Sequence, residues 1–248
     1  MTPIVGLDSG ARRRDDARMP SPDPLRVAFL LFPNVTQLDL TGPAEVFGQV
    51  PDSMLHLIWK TPTPVATAKG WTINPTTTFK DCPPLDVICV PGGSGQIALM
   101  DDTETLDFLR KQAASAKYVT SVCTGSLVLG AAGLLKGYRA ACHWMSRDQL
   151  ALLGATPVAE RVVKDRNRIT GGGVTAGIDF GLTVVAELCG AEVAKAVQLG
   201  IEYDPHPPFN AGSPEGAGPE LVARVTQVAT QRQTTRLEAT KKAAAALA

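Results

Sequence analysis

The sequence predicts an α/β protein, with a mostly parallel central sheet covered by helices on both faces. Three observations predict it. Segments of strand length alternate with segments of helical spacing along most of the chain. Several of the strand segments are apolar on both faces, as strands buried between two helical layers must be. No internal repeat and no shift of composition divides the body of the chain.

The first strand is LRVAFLLF (25–32), a nearly continuous apolar run. In the following PNVTQLDLTGPAEVFGQV, Pro43 is placed to open a helix, with Asp39 and Thr41 ahead of it. MLHLIWK (54–60) alternates as a second strand, and the threonine-rich WTINPTTTFK (71–80) suits a more exposed strand or hairpin. PLDVICVPGG (84–93) is a buried strand running into a glycine turn, and ETLDFLRKQAASA (104–116) has helical spacing. YVTSV (118–122) is the next buried strand, and a helix opens directly after Cys123. YRAACHW (138–144) reads as a short strand and RDQLALLG (147–154) as a short helix. ERVVKDRNRITGGG supplies two strands around a D-R-N turn, and VTAGIDFGLTVVAELCG (174–190) a long apolar helix. PHPPFNAGSPEGAGPE (205–220) is too rich in proline and glycine to be regular, and the rest is one extended helical segment. Residues 25–248 are thus expected to form a single domain with a C-terminal helical extension.

The 248 residues are 44% hydrophobic and 19% charged, enough to bury a sizeable core. With 24 basic and 24 acidic side chains there is no electrostatic footprint for nucleic acid or an anionic membrane. A small-molecule or protein partner is expected instead. Residues 1–24 carry charges and prolines without an apolar core, so they read as a disordered extension and not as a signal peptide. No run of about 18 apolar residues suggests a membrane span. The five cysteines, at 82, 89, 123, 142 and 189, are odd in number, irregularly spaced and without a C-x-x-C pair. That pattern disfavours disulfides and zinc sites and points to reduced thiols in a cytoplasm.

Ligands of parallel α/β sheets bind beyond the carboxyl ends of the strands. Unusual residues fall at four such ends: Asp39, Gly92–Gly93, Cys123 and the glycines 171–173. Cys123 sits at a strand-to-helix junction, where the positive helix end can depress a thiol pKa. Gly125 there permits close backbone approach. Cys123 is either a reactive thiol or a small buried hydrophobe. Asp39 either caps a helix or turn, the commoner role, or shuttles a proton to a neighbouring thiol. Gly92 and Gly93 either offer N–H groups to a developing negative charge or form a tight connection, and Gly172 has the same two readings. His143 could pair with Cys123, but packing beside Trp144 is the plainer reading. Three histidines without ligand spacing do not suggest a metal site.

Taken together and in this order, LDLTGP, CPPLDVICVPGG, TSVCTGSLVLGAAGLLKG, ITGGGVTAGIDFGL and PPFNAGSP resemble the ThiJ/PfpI superfamily. The resemblance runs from about Arg26 to the C-terminus and is nearest to the isonitrile hydratase subfamily. It implies a flavodoxin-like three-layer fold, related to class I glutamine amidotransferases, with the cysteine on a nucleophile elbow. It implies a hydro-lyase that converts an isonitrile, R–N≡C, to the N-substituted formamide without a cofactor. Cys123 would be the nucleophile, Asp39 its acidic partner and Thr124 the neighbour of the thiolate, in a cytoplasmic homodimer. Protease-like and amidotransferase-like members of the superfamily commonly carry histidine directly after the nucleophile or as a triad partner; Thr124 stands at the following position in this chain, which disfavours Cys-His-acid peptidase chemistry. Two other readings are a glyoxalase-like or oxidation-sensing protein using the same cysteine, and the ligand-sensing domain of a transcription regulator. About thirty residues after Pro219 are too few for the DNA-binding module that the last requires.

Overall fold

The computed structural model describes residues 24–247. The extension expected at 1–24 therefore lies outside the described residues, apart from Pro24. Seven strands form the central sheet: β1 (Leu25–Leu30), β2 (Ser53–Trp59), β3 (Thr77–Thr78), β4 (Val87–Val90), β5 (Tyr118–Val122), β6 (Val162–Asp165) and β7 (Arg168–Gly171). Their order across the sheet is β6-β7-β5-β4-β1-β2-β3. Every neighbouring pair is parallel except β6–β7, the hairpin built on the D-R-N turn.

The helices are α1 (Gln37–Gly48), α2 (Thr103–Ala113), α3 (Gly125–Ala131), α4 (Ala176–Cys189), α5 (Ala191–Gly200) and the 28-residue α6 (Pro219–Ala246). The chain winds outward from β1 to β2, then returns to β4 and winds the other way through β5 to β7. Right-handed crossovers therefore send α1 to one face and α2 and α3 to the other. The reversal opens a crevice between the carboxyl ends of β1 and β4, where such sheets take their ligands. The flavodoxin-like α/β architecture is as the sequence predicts.

The core follows from the same pattern. Val27–Phe32, Val87–Val90 and Val119 with Val122 are buried, because these strands lie between two layers of helices. On one face α1 and α4 meet through small residues: a methyl on Gly177 would lie 2.9 Å from Pro43 Cδ, and one on Gly181 would lie 3.1 Å from Val46 Cβ.

Four expectations need correction. Pro43 does not open α1 but sits inside it, six residues after its start. Having no N–H, it leaves the Asp39 carbonyl without its helical partner, and its packing against Gly177 offsets that cost. The threonine-rich segment is split: Thr72–Ile73 pairs with Val65–Ala66 in a small separate ladder, and Thr77–Thr78 adds to the sheet edge. Only Arg139–Ala140 of the expected strand at 138–144 pairs with a ladder, against Thr156–Pro157. Beyond it, side chains take over the backbone: Ala141 N–H donates to Thr170 Oγ1 at 2.8 Å and Ser126 Oγ donates to Ala141 O at 2.6 Å. The helix expected at 147–154 is a 3₁₀ segment, Arg147–Leu153.

Candidate active site

Strand β5 delivers Cys123 at its carboxyl end, and α3 begins two residues later. The turn is so tight that Cys123 takes φ +59°, a left-handed conformation unusual for a side chain with a Cβ. Its N–H donates to Gly171 O at 3.1 Å and its carbonyl accepts from His143 N–H at 3.3 Å. Gly125 makes the turn possible, since a methyl there would lie 1.9 Å from Val90 O. Behind the turn, Ser121 Oγ and Ser126 Oγ meet at 2.8 Å, completing a buried network. This is a strained strand-to-helix turn held from both sides, the geometry expected of an elbow.

Asp39 comes from the first turn of α1, having entered the site from the strand next to β4. It is 0% exposed, and Gly92 N–H donates to its Oδ2 at 2.9 Å. Its Oδ1 has no partner among the described residues. Burial pushes the carboxyl up from 3.8 to about 7, against the opposing pull of the Cys123 thiol and the Gly92 N–H. Cys123, 5% exposed, has its thiol pushed well up by burial, then by the negative charges of Asp39 and Cys142. The depressed thiol expected from the helix end is not found: loss of water outweighs the Thr124 N–H at the start of a seven-residue helix. At rest the pair is a neutral thiol beside a carboxyl close to half-protonated at neutral pH.

The glycine loop is built for approach. At Gly92 a methyl would lie 2.6 Å from Thr124 N and 2.7 Å from Asp39 Oδ2. Gly93, at φ +137°, passes so near Asn34 O that a methyl would lie 2.5 Å from it. The N–H groups of Gly92 and Gly93 are already engaged within the protein. Gly92 gives its N–H to Asp39, and Gly93 gives its own to Thr124 Oγ1 at 3.2 Å. Gly172 does not border the cavity, and its N–H is bound to Arg161 O at 2.9 Å. In this structure Gly92 and Gly93 position Asp39 and Thr124, and Gly172 serves the β6–β7 side.

A cavity of about 320 Å³ opens above the pair, with Cys123, Thr124, Gly93 and His143 in its wall. His143 is not set up as the thiol's base. Its Nδ1 accepts from Met145 N–H at 3.3 Å, and burial together with the charges of Arg236 and Arg232 lowers it to about 4. The other cysteines are also free. Cys89 and Cys142 are pushed up to about 12 by burial, the behaviour of core residues. Sequence reasoning missed the far wall, formed by Arg232, Gln233 and Arg236 of α6. Nothing local marks these residues, because the fold alone carries α6 back over the elbow.

The DJ-1/PfpI family model matches residues 25–187, a stretch that holds β1, the glycine loop, the elbow and α4 up to Glu187. The chain belongs to the DJ-1/PfpI family. Within this family the chain is 57% identical over 223 residues to the isonitrile hydratase of Pseudomonas putida, covering 90% of this chain and 98% of that protein. A ThiJ/PfpI family protein from Pseudomonas syringae is 44% identical and superposes with a TM-score of 0.86, covering 96% of this chain and 98% of that one. The transcriptional regulator GbdR of Pseudomonas aeruginosa is 31% identical over 191 residues, which is 73% of this chain but 52% of the regulator. The chain thus spans about half of that regulator, and the segment after Pro219 is a single helix.

Proposed function

We propose that this DJ-1/PfpI protein is an isonitrile hydratase, with Cys123 as nucleophile and Asp39 as the group that moves protons. The observation that carries the reading is the buried Asp39 carboxyl, anchored by Gly92 N–H against the elbow cysteine and raised to about 7. The 57% identity to an isonitrile hydratase supports an enzyme of this kind.

The terminal carbon of an isonitrile accepts both a nucleophile and a proton. In the proposed cycle Asp39 takes the Cys123 proton as sulfur bonds to that carbon, then returns the same proton to the carbon. The product is a thioimidate, R–N=CH–S–Cys123. Water adds next, its oxygen to carbon and a proton to nitrogen, with Asp39 as base. Collapse of the adduct breaks the C–S bond, frees R–NH–CHO and returns a proton to sulfur through Asp39. Covalent catalysis thus divides one hard hydration into two easier additions. A carboxyl near 7 suits both directions of transfer, and no strongly acidic or basic group is required. Thr124, bonded to Gly93, holds the elbow and the glycine loop in register.

The high thiol pKa counts against the oxidation-sensing reading, which needs an exposed thiolate at rest. A homodimer in the cytoplasm fits the five free thiols and the exposed Leu199, Phe209 and Val228; light scattering on the purified protein reports the mass. The decisive assay supplies a simple alkyl isonitrile and follows formamide, with methylglyoxal in parallel. Formamide is expected from the wild type and none from Cys123→Ala. Turnover of methylglyoxal alone would replace the reading by the glyoxalase one.

A further inference from the structure

The cavity above Cys123 is one-sided in charge. Lys69, Arg232 and Arg236 border it, and no aspartate or glutamate does. Among the described residues none of the three is in an ion pair. Arg236 is the telling one, since it is 4% exposed and carries a charge that burial penalises. Its Nη1 donates to Ser146 Oγ at 3.3 Å, and Ser146 in turn donates to Gln233 Oε1 at 3.0 Å. Its Nε donates at 3.3 Å to the side-chain oxygen of Gln96, in the amide orientation that satisfies both ends of that group. These partners are neutral. They orient the guanidinium without compensating its charge, and Nη2 makes no hydrogen bond to a described residue.

Buried arginines are ordinarily paired, because removing a cation from water is expensive unless an anion answers it. Here the described residues supply none, and burial together with the same charges lowers the neighbouring His143. A planar guanidinium with one free edge facing a cavity is the group that receives a carboxylate.

We propose that Arg236, with Arg232 and Lys69 at the mouth, forms an anion subsite, and that the isonitrile taken up carries a carboxylate a few bonds from its N≡C group. The substrate half of this rests on the hydratase reading; the subsite itself does not. A cavity of about 320 Å³ holds a small isocyano acid with its carbon at Cys123 and its carboxylate at the α6 wall. Helix α6 is then part of the binding site, and its length serves to bring these cations over the elbow.

The test uses Cys123 as the reporting atom. Iodoacetate and iodoacetamide both alkylate a thiol, forming S–C and releasing iodide, and they differ in one charge. Peptide mapping by mass spectrometry separates Cys123 from the other thiols and gives the two rate constants. Iodoacetate is expected to label Cys123 at least about tenfold faster than iodoacetamide, a charge-assisted anchor being worth that much or more. The ratio is expected to fall in about 0.5 M salt, to fall in Arg236→Gln and in the surface variant Arg232→Gln, and to be partly kept in Arg236→Lys. Equal rates, faster labelling by iodoacetamide, no labelling by iodoacetate, or a ratio unmoved in Arg232→Gln and Arg236→Gln overturns the subsite. In a second arm, 2-isocyanoacetate is compared with its methyl ester as hydration substrate, and the acid is expected to be favoured through KM. Preference for the ester overturns the substrate class. If iodoacetate is preferred but neither isonitrile is hydrated, the hydratase reading fails and the subsite stands. Equal hydration with no iodoacetate preference has the opposite meaning.

Discussion

Replacing Asp39 by asparagine is expected to stabilise the protein while disabling it, and the gain should depend on pH in a calculable way. Asp39 is fully buried with Oδ1 unpartnered, and its pKa stands at about 7 where an ordinary aspartate has 3.8. Between those values the native protein holds a proton that the unfolded chain has released. Stability therefore falls as pH rises through this window, by about 1.4 kcal/mol per pH unit, and is level above it. The whole penalty is about 4 kcal/mol at pH 8 and about 1 kcal/mol at pH 4.5. Asparagine keeps an oxygen for the Gly92 N–H and has no charge to bury. Whatever else the amide changes is the same at both pH values and cancels between them. The stability difference between Asp39→Asn and wild type should thus grow by about 3 kcal/mol from pH 4.5 to pH 8. That corresponds to roughly 6–12 °C in relative melting temperature for a chain of this size. Urea unfolding of both proteins at the two pH values measures it. A difference that stays constant, or moves in favour of the aspartate at high pH, would refute the strained carboxyl and the mechanism built on it.

Further outcomes follow from the same geometry. The rate of isonitrile hydration should rise with pH through about 7 as Asp39 becomes a base, and the limb belongs to the Asp39–Cys123 pair, not to one residue; a flat kcat/KM between pH 5.5 and 8.5 would contradict it. Gly92→Ala should lose nearly all activity and about 1–3 kcal/mol of stability, because its methyl strikes the Thr124 N and Asp39 Oδ2 at 2.6 and 2.7 Å. Circular dichroism and the formamide assay read the two effects. His143→Gln should lower kcat less than about tenfold, below the range of a general base, since its ring is neutral and bonded to Met145; a loss as large as that of Cys123→Ala would return the histidine to the chemistry.

Much of this arrangement was legible before any coordinates. The apolar runs at 25–32, 84–93 and 118–122 reveal the central parallel strands, because a strand covered on both faces has no polar side to show. The junction at Cys123 was visible as a β-branched strand followed at once by a small-residue helix. Other features were hidden by competition between local and tertiary preferences. Pro43 reads locally as a helix start, but contact with Gly177 on α4 makes it tolerable six residues further in. The strand expected at 138–144 was shortened because Ser126 and Thr170, distant in sequence, took its backbone groups.

By itself the sequence determined the layered α/β class, the elbow and the short list of residues that could do chemistry, since periodicity and turn chemistry are local properties. The residues alone left open whether Asp39 was a cap or a partner of Cys123. Only the tertiary structure puts the two side by side. The reversal of strand order brings α1 and the glycine loop together, so that Gly92 N–H can hold Asp39 against Cys123. It also decided the electrostatics. A helix end alone argues for an acidic thiol, but burial, which only the packed fold creates, leaves Cys123 neutral and Asp39 near 7. The cationic wall from α6 belongs to the same class of fact, because Arg232 and Arg236, more than a hundred residues after the elbow, reach it only through the fold.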